Sequence, residues 1–383
     1  MSGRERRDAG LGPVVDGAGV VVCCGPGGVG KTTAAAAIGV EGARRGRRAV
    51  VVTIDPARRL ADALGLADGL GPEPTRVSLD EAGLATDSDS GGDSSSDGGE
   101  LWAMMLDTEA AFVDVVRRNA ESPEQAERIL ANPFFRNMAV SLSGTQEYMA
   151  AETLHLLHHD ERFDLVVVDT PPTRNALDFL EAPGVLARFL DHRLFRLMML
   201  PAQRGMRIVG VATQPFLRAI GKVVGSDVLA DAVAFFQGFA GMEQGFRRRA
   251  DEVIGLLRSD VTRFVVVTSP RHEAVIESTW FVDQLADQGI EGIAGVVNRI
   301  HPAFGDGSAA DAAAEADRLE AVDDPAAGLW RNLAELRALR EAELSQVAEF
   351  AKLFDDGVLV EVPLLSGDVH DRDGIDHVRK ALF

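Results

Sequence analysis

Apolar and polar positions follow one another along this chain in blocks. Val20, Val21 and Val22 form a short continuous apolar run. The same pattern returns at Ala49 to Ile54, Leu101 to Leu106, Phe163 to Val168, Phe264 to Val267, Ile293 to Val297 and Val358 to Val362. Such runs, rich in valine and spaced by stretches of helical length, predict strands buried on both faces, as in a parallel sheet. Between the first two, Ala34 to Ile38 are mostly good helix formers, and Arg44-Arg45-Gly46 suits a helix C-terminus. The strands close on polar or turn-forming residues: Asp55 with Pro56, Asp169, Thr268, Asn298 and Pro363. In an open α/β sheet that carboxyl edge is where ligands bind. The pattern therefore predicts an α/β fold built on a doubly wound, mainly parallel sheet.

Two intervals break the alternation. Residues from about 109 to 161, and again from 176 to 258, are helical in pattern and read as a helical subdomain inserted around the strand that ends at Asp169. Its second part concentrates Phe179, Phe189, Phe195, Phe216, Phe235, Phe236, Phe239 and Phe246 with Met198, Met199, Met206 and Met242. Met and Phe can line an adaptable hydrophobic groove, and equally they can fill an ordinary helical core. The Ser/Gly/Asp-rich stretch at about 85–100 reads as a disordered acidic surface loop, and residues 1–18 as a flexible tail before a single domain over 19–383. Late in the chain, Asp311 to Glu320 is rich in Ala, Asp and Glu. Leu329, Leu333, Leu336, Leu339, Leu344, Val347, Phe350 and Leu353 then stripe a long helix expected to lie on the sheet.

Composition narrows the class. The 383 residues are 46% hydrophobic, enough for a large core, and carry a net charge of −20. That charge argues against nucleic acid or an anionic membrane as partner. No uncharged apolar run reaches the roughly 18 residues of a membrane helix, and nothing before the first strand resembles a secretory signal. The adjacent Cys23 and Cys24 cannot build a disulfide framework and read as buried reduced thiols, so a cytoplasmic setting is expected.

The candidate chemistry begins where the first strand ends. Cys24-Gly25-Pro26-Gly27-Gly28-Val29-Gly30-Lys31-Thr32-Thr33 fits G-x-x-x-x-G-K-[ST], the phosphate-binding loop, between a strand and a helix as its mechanics require. Loop amides and the positive end of the helix converge on one point, and glycines let the backbone approach a phosphate closely. Gly27, Gly28, Val29, Gly30, Lys31, Thr32 and Thr33 are the candidate ATP contacts. Lys31 is one of four lysines in the chain. It is expected to reach the β- and γ-phosphates, with the Thr32 hydroxyl ligating Mg²⁺ directly.

Asp169 follows Leu165 to Val168, four apolar residues and then a carboxylate, as the Walker B position requires, and is expected to hold Mg²⁺ through water. Asp55, also a water-mediated metal contact, can orient the attacking water; its plainer role is to cap a helix begun by Pro56. Asn298 has donors and an acceptor suited to adenine, or serves as a turn residue. His155, His158 and His159 share a helical neighbourhood with no clear completing ligands, so surface or packing roles are expected.

These residues together resemble a family. Gly27 to Thr33, Asp55-Pro56-Ala57 and Asp169-Thr170-Pro171-Pro172-Thr173 are similar to the deviant P-loop, switch I and switch II of the ArsA-like ATPases. That family includes the arsenite-pump ATPase and the ATPase that targets tail-anchored membrane proteins. Val296 to Arg299 and Val362 to Val369 resemble its later sheet segments. The resemblance implies a SIMIBI-type P-loop NTPase fold and Mg²⁺-dependent ATP hydrolysis. It also implies a dimer whose facing ATP sites move helical subdomains, and a membrane-protein or other hydrophobic cargo.

One departure stands out. The family's signature lysine, which serves the partner's nucleotide, falls at Pro26. The expectation is pairing with a non-identical homologue that carries it, or a homodimer using Arg58 or Arg59 instead. Arsenite extraction and a shared dimer zinc are disfavoured, since the only thiols are two neighbours on one strand. Three alternatives remain: a poorly hydrolysing scaffold subunit, a MinD- or ParA-like positioning ATPase, and a small-molecule kinase. The short C-terminus, whose only lysine or arginine cations from Ile375 onward are Arg379 and Lys380, speaks against the second. The helical insertion speaks against the third.

Overall fold

The computed structural model describes residues 10–55, 58–78, 99–133, 145–170, 231, 234–235, 238, 241–290, 292–355, 357–369 and 371–383. The chain divides into two compact units: 1–105, 160–176 and 260–383 in the first, 106–159 and 177–259 in the second.

The first unit is built on an eight-stranded sheet. Its strands are β1 (Val20–Cys24), β2 (Arg48–Thr53), β3 (Thr75–Val77), β4 (Glu100–Met105), β5 (Leu165–Asp169), β6 (Thr262–Thr268), β7 (Ile293–Ile300) and β8 (Val358–Pro363), in the spatial order β3-β4-β2-β5-β1-β6-β7-β8. Every pairing is parallel except that of β3 with β4. The expected α/β sheet is therefore present, with one short antiparallel edge strand that the apolar pattern did not reveal. All five residues of β1 and of β5 are buried, which explains why these strands read as unbroken valine runs.

The helix Lys31–Arg44 follows β1 and carries Gly39 and Gly42 in its interior. A Cβ at these positions would sit 2.3 Å from Val51 Cγ2 and 2.5 Å from Leu165 Cδ2. Glycine costs about 1 kcal/mol relative to alanine inside a helix; here it lets the helix axis approach β2 and β5.

Two expectations are corrected. The expected flexible tail over residues 1–18 does not extend through 10–18. Instead Gly12–Gly17 is a helix with proline in its first turn, and Leu11, Val14 and Val15 are buried in the sheet core. Leu11 N–H donates to Leu382 O at 2.8 Å, so this segment is tied to the C-terminal helix Arg372–Leu382. The apolar stripe also marks the buried face of the long helix, Ala327–Lys352, only in part: Val347 and Phe350 are buried, but most of its leucines are not. The helix buries Ala334, Arg337, Val347 and Phe350, while Leu329 is 72% exposed and Leu336, Leu339, Leu344 and Leu353 are exposed too. That helix packs chiefly on the helices Ala309–Glu320 and His272–Asp287, so its buried face is set by those two neighbours. Arg337 is tolerated inside because its guanidinium donates to the carbonyls of Phe304, Asp306 and Ser308.

The second unit contains the helices Thr108–Asn119, Pro123–Leu130, Thr145–His158 and Glu243–Leu257. Asp107 and Ser122 cap the first two, accepting from Ala110 N–H and Gln125 N–H. Met149, Leu154, Phe235, Met242, Phe246 and Val253 are buried. His155 is buried, His158 is half-buried and His159 is exposed; no cluster of three metal-ligating side chains occurs among the described residues. Most of the Phe and Met concentration lies outside the described residues. So do residues 1–9, the acidic stretch up to 98, Pro56-Ala57 and Pro171 to Thr173.

Candidate nucleotide site

The sheet's carboxyl edge gathers the candidate residues through register. β5 lies between β1 and β2, so Asp169 pairs with both Cys23 and Thr53. The loop 25–30 leaves β1 and opens the helix at Lys31. Gly25 has φ 135°, and a Cβ there would lie 2.1 Å from Val267 O. Gly30 has φ 97°, and its Cβ would lie 2.2 Å from Asn298 Nδ2. Both positions require glycine for conformation and for space.

Lys31 is 6% exposed, and its Nζ donates to the loop's own Pro26 carbonyl at 2.8 Å. Burial lowers its pKa, opposed chiefly by the Asp169 carboxylate. The Thr32 hydroxyl donates to Asp169 Oδ2 at 2.8 Å, and the Thr53 hydroxyl donates to the same oxygen at 2.9 Å. The other oxygen, Asp169 Oδ1, is buried with no hydrogen-bond partner. Burial raises the Asp169 pKa to about 6 against the pull of Thr32, Thr53 and Lys31. A buried carboxylate with an orphaned oxygen is costly unless something binds it. The hard oxygen donors of Thr32, Asp169 and Asp55 suit Mg²⁺. The residues present fit that ion.

Asp55 follows β2, and its N–H donates to Thr53 Oγ1 at 3.2 Å. Its carboxylate lies 3.6 Å from the Arg59 guanidinium, a largely exposed group. Asn298 lies inside β7 rather than in a turn after it. Its Nδ2 donates to Val29 O at 2.8 Å, and its Oδ1 accepts from Arg299 N–H at 2.9 Å. Beside it opens a cavity of about 430 Å³, lined by Thr33, Asn298, Arg299, Leu364, Asp368 and Val369 among others.

The structure thus brings Lys31, Thr32 and Asp169 together, with Asp55 close enough for its charge to push the Asp169 pKa upward. It sets Asn298 against the loop. Two residues given no site role from the sequence belong to the cluster. Thr53 bonds Asp169, and Thr170 clamps the end of β1 through its hydroxyl and N–H, both to Cys23 O. Thr53's only signal is a hydroxyl at the polar end of an apolar run, whereas Thr170 lies within the switch II-like stretch 169–173. Cys23 and Cys24 are free and buried, and burial raises both thiol pKa values, which keeps them protonated and poor ligands.

Comparison with known proteins gives a family. The family model described as anion-transporting ATPase matches residues 18–324. The chain is similar to the ATPase GET3 of Malassezia globosa, 26% identical over 73% of this chain and 72% of that protein. It is 23% identical to the ATPase GET3 of Phaeosphaeria nodorum over 92% of this chain and 90% of that protein. Similarity to the Aspergillus terreus ATPase get3 is 24% over 92% and 86% of the two chains.

Proposed function

This chain belongs to the anion-transporting ATPase family, and on that footing we propose that it binds Mg²⁺–ATP at the loop 25–33 and hydrolyses it as a dimer. In this reading the nucleotide state moves the helical unit and, through it, a hydrophobic cargo. The observation that carries the reading is the grouping of buried Lys31 and Asp169 with half-buried Thr32 at the mouth of a glycine loop, with one carboxylate oxygen left unsatisfied.

Each residue then has a task. The Lys31 ammonium, already desolvated, exchanges the Pro26 carbonyl for phosphate oxygens and stabilises charge that develops on the transferred group. Loop amides 27 to 33 cradle the same oxygens. Thr32 offers its hydroxyl as a direct ligand to the metal, and Asp169 and Asp55 act through water. Magnesium, when bound, neutralises charge on the phosphates. Asp55 orients the attacking water, and the cavity beside Asn298 receives the base. No described helix is long and apolar enough to cross a membrane, in keeping with a proposed cytoplasmic setting.

A second reading has its own support. Pro26 stands where the family's signature lysine is expected, which favours a subunit that hydrolyses slowly alone and works with a non-identical homologue. Hydrolysis by the purified protein, with and without co-purifying partners, separates the two readings. Lys31→Ala is expected to cut turnover at least 100-fold; near-normal hydrolysis by that variant removes the assignment.

A further inference from the structure

The strand β7 breaks its pairing with β8 at one place. Asn298 is opposite Val362 and Ile300 opposite Pro363, so Arg299 is an extra residue, a bulge at the carboxyl edge. Arg299 also has φ 62°, one of two non-glycine residues in the left-handed region among those described. Bulges occur where a strand re-aims a side chain, and a strained backbone at an arginine asks for a reason.

The reason lies in the phosphate loop. Arg299 Nη1 donates to Gly28 O at 3.1 Å, and the preceding Asn298 Nδ2 donates to Val29 O at 2.8 Å. Two adjacent residues of β7 therefore hold two successive peptide carbonyls of the loop. A trans peptide points its C=O and N–H in opposite directions. Holding the Gly28 and Val29 carbonyls toward β7 turns the N–H groups of Val29 and Gly30 to the other side. Asn298 further fixes the bulge by accepting the Arg299 N–H. The donor on Gly28 O is charged, which polarises the peptide and makes the Val29 N–H a better donor. Arg299 makes no ion pair among the described residues, so its charge is not spent on a carboxylate.

On the reading that this loop holds a nucleotide, we infer that Arg299 is a positioning residue for it. The bulge aims a cation at the Gly28 carbonyl so that the Val29 amide is set toward a phosphate oxygen before ATP arrives. Its ligand class is the polyphosphate of a nucleoside di- or triphosphate, not the base.

The test uses the full-length protein and four variants. Arg299→Gly keeps the left-handed backbone at no strain and removes the cation. Arg299→Lys keeps charge and a donor; Arg299→Gln keeps a donor without charge. Arg299→Ala serves as the strained control. Calorimetry with Mg²⁺–ATP, Mg²⁺–ADP and adenosine is expected to show Arg299→Gly binding ATP and ADP about tenfold more weakly. Because Arg299 also lines the cavity proposed for the base, adenosine affinity falls too, but clearly less than that of ATP and ADP, and the melting temperature stays unchanged. Arg299→Lys should recover most of the loss and Arg299→Gln little of it.

Three results overturn the assignment: ATP affinity of Arg299→Gly within twofold of wild type, an equal loss for adenosine, or full recovery by Arg299→Gln. Wild-type protein that binds no Mg²⁺–ATP would instead remove the nucleotide reading itself.

Discussion

Thr32 and Asp169, 137 positions apart in the chain, are joined by a 2.8 Å hydrogen bond in which the threonine hydroxyl donates to Oδ2. Thr53 donates to the same oxygen, so one side of the carboxylate is fully engaged while Oδ1 faces a buried space without a partner. The arrangement stores unfavourable electrostatics at the point where a cation is expected, which makes the site measurable through stability.

Asp169 titrates near pH 6 in the folded chain because burial disfavours its charge, against an ordinary value of 3.8. Between those values the unfolded chain has released the proton and the folded chain still holds it. Stability of the nucleotide-free protein is therefore lost as pH rises from about 4 to 6. Asp169→Asn removes the titration. Relative to wild type it should gain about 2 kcal/mol between pH 4 and pH 7, whatever constant cost the amide itself brings. Urea unfolding of both proteins across that range checks the sign. A difference that does not change with pH would mean that the carboxylate is ionised throughout.

Gly30 is the loop position whose lack of room traces to a single side chain. Gly30→Ala combines a φ of 97° with a Cβ placed 2.2 Å from Asn298 Nδ2. The expected loss is about 2–4 kcal/mol, together with nucleotide binding. Asn298→Ala alone removes the bond to Val29 O and should cost about 1 kcal/mol. In the double variant the clash is gone and only the backbone strain remains. The two changes should therefore cost less together than their sum, by about 1 kcal/mol or more in a double-mutant cycle.

Much of this was legible in the sequence, and the gaps have physical causes. The valine runs announced a parallel sheet because strands buried on both faces leave no polar register to interpret. Spacing placed Lys31 and Thr32 at the loop and Asp169 at a strand end. Thr53 stayed hidden because its partner is set by the register of β2 on β5. The Arg299 bulge depends on pairing with β8, a long way down the chain. A leucine stripe with helical period names an apolar face but not the neighbour that covers it. In Ala327–Lys352 the neighbours covered Val347 and Phe350 of the stripe, left most of its leucines exposed, and buried Ala334 and even Arg337 instead. The short helix at Gly12–Gly17 has glycine at both ends and too few residues to show a period.

Glu152 and Arg249 form a 2.7 Å ion pair in the helical unit, with the Glu152 side chain 2% exposed. Burial raises the Glu152 pKa, and Arg249 opposes it. Arg249→Met strips a buried carboxylate of its partner and should cost about 3 kcal/mol at pH 7. That penalty fades at low pH, where the carboxyl is protonated in both proteins. Replacing both residues by apolar ones, Glu152→Leu with Arg249→Met, should recover most of the loss. Urea unfolding at pH 5 and pH 7.5 measures each step; a single variant with no loss would show that the pair is solvated in solution.

Thr53→Val tests whether the hydroxyl missed by sequence reasoning takes part in turnover. The change preserves shape and removes two hydrogen bonds, one to Asp169 Oδ2 and one accepted from Asp55 N–H. The Asp169 carboxylate and the backbone that carries Asp55 each lose an orienting contact, so kcat is expected to fall about tenfold while KM for Mg²⁺–ATP changes little. Hydrogen bonds to an ionised carboxylate lower its pKa, and losing one raises it further. The acidic limb of the pH–rate profile should therefore move to higher pH in Thr53→Val, and Thr53→Ser should restore its place. Should the limb stay fixed while kcat falls, the titrating group is some other residue, and Thr53 acts through Asp55 alone.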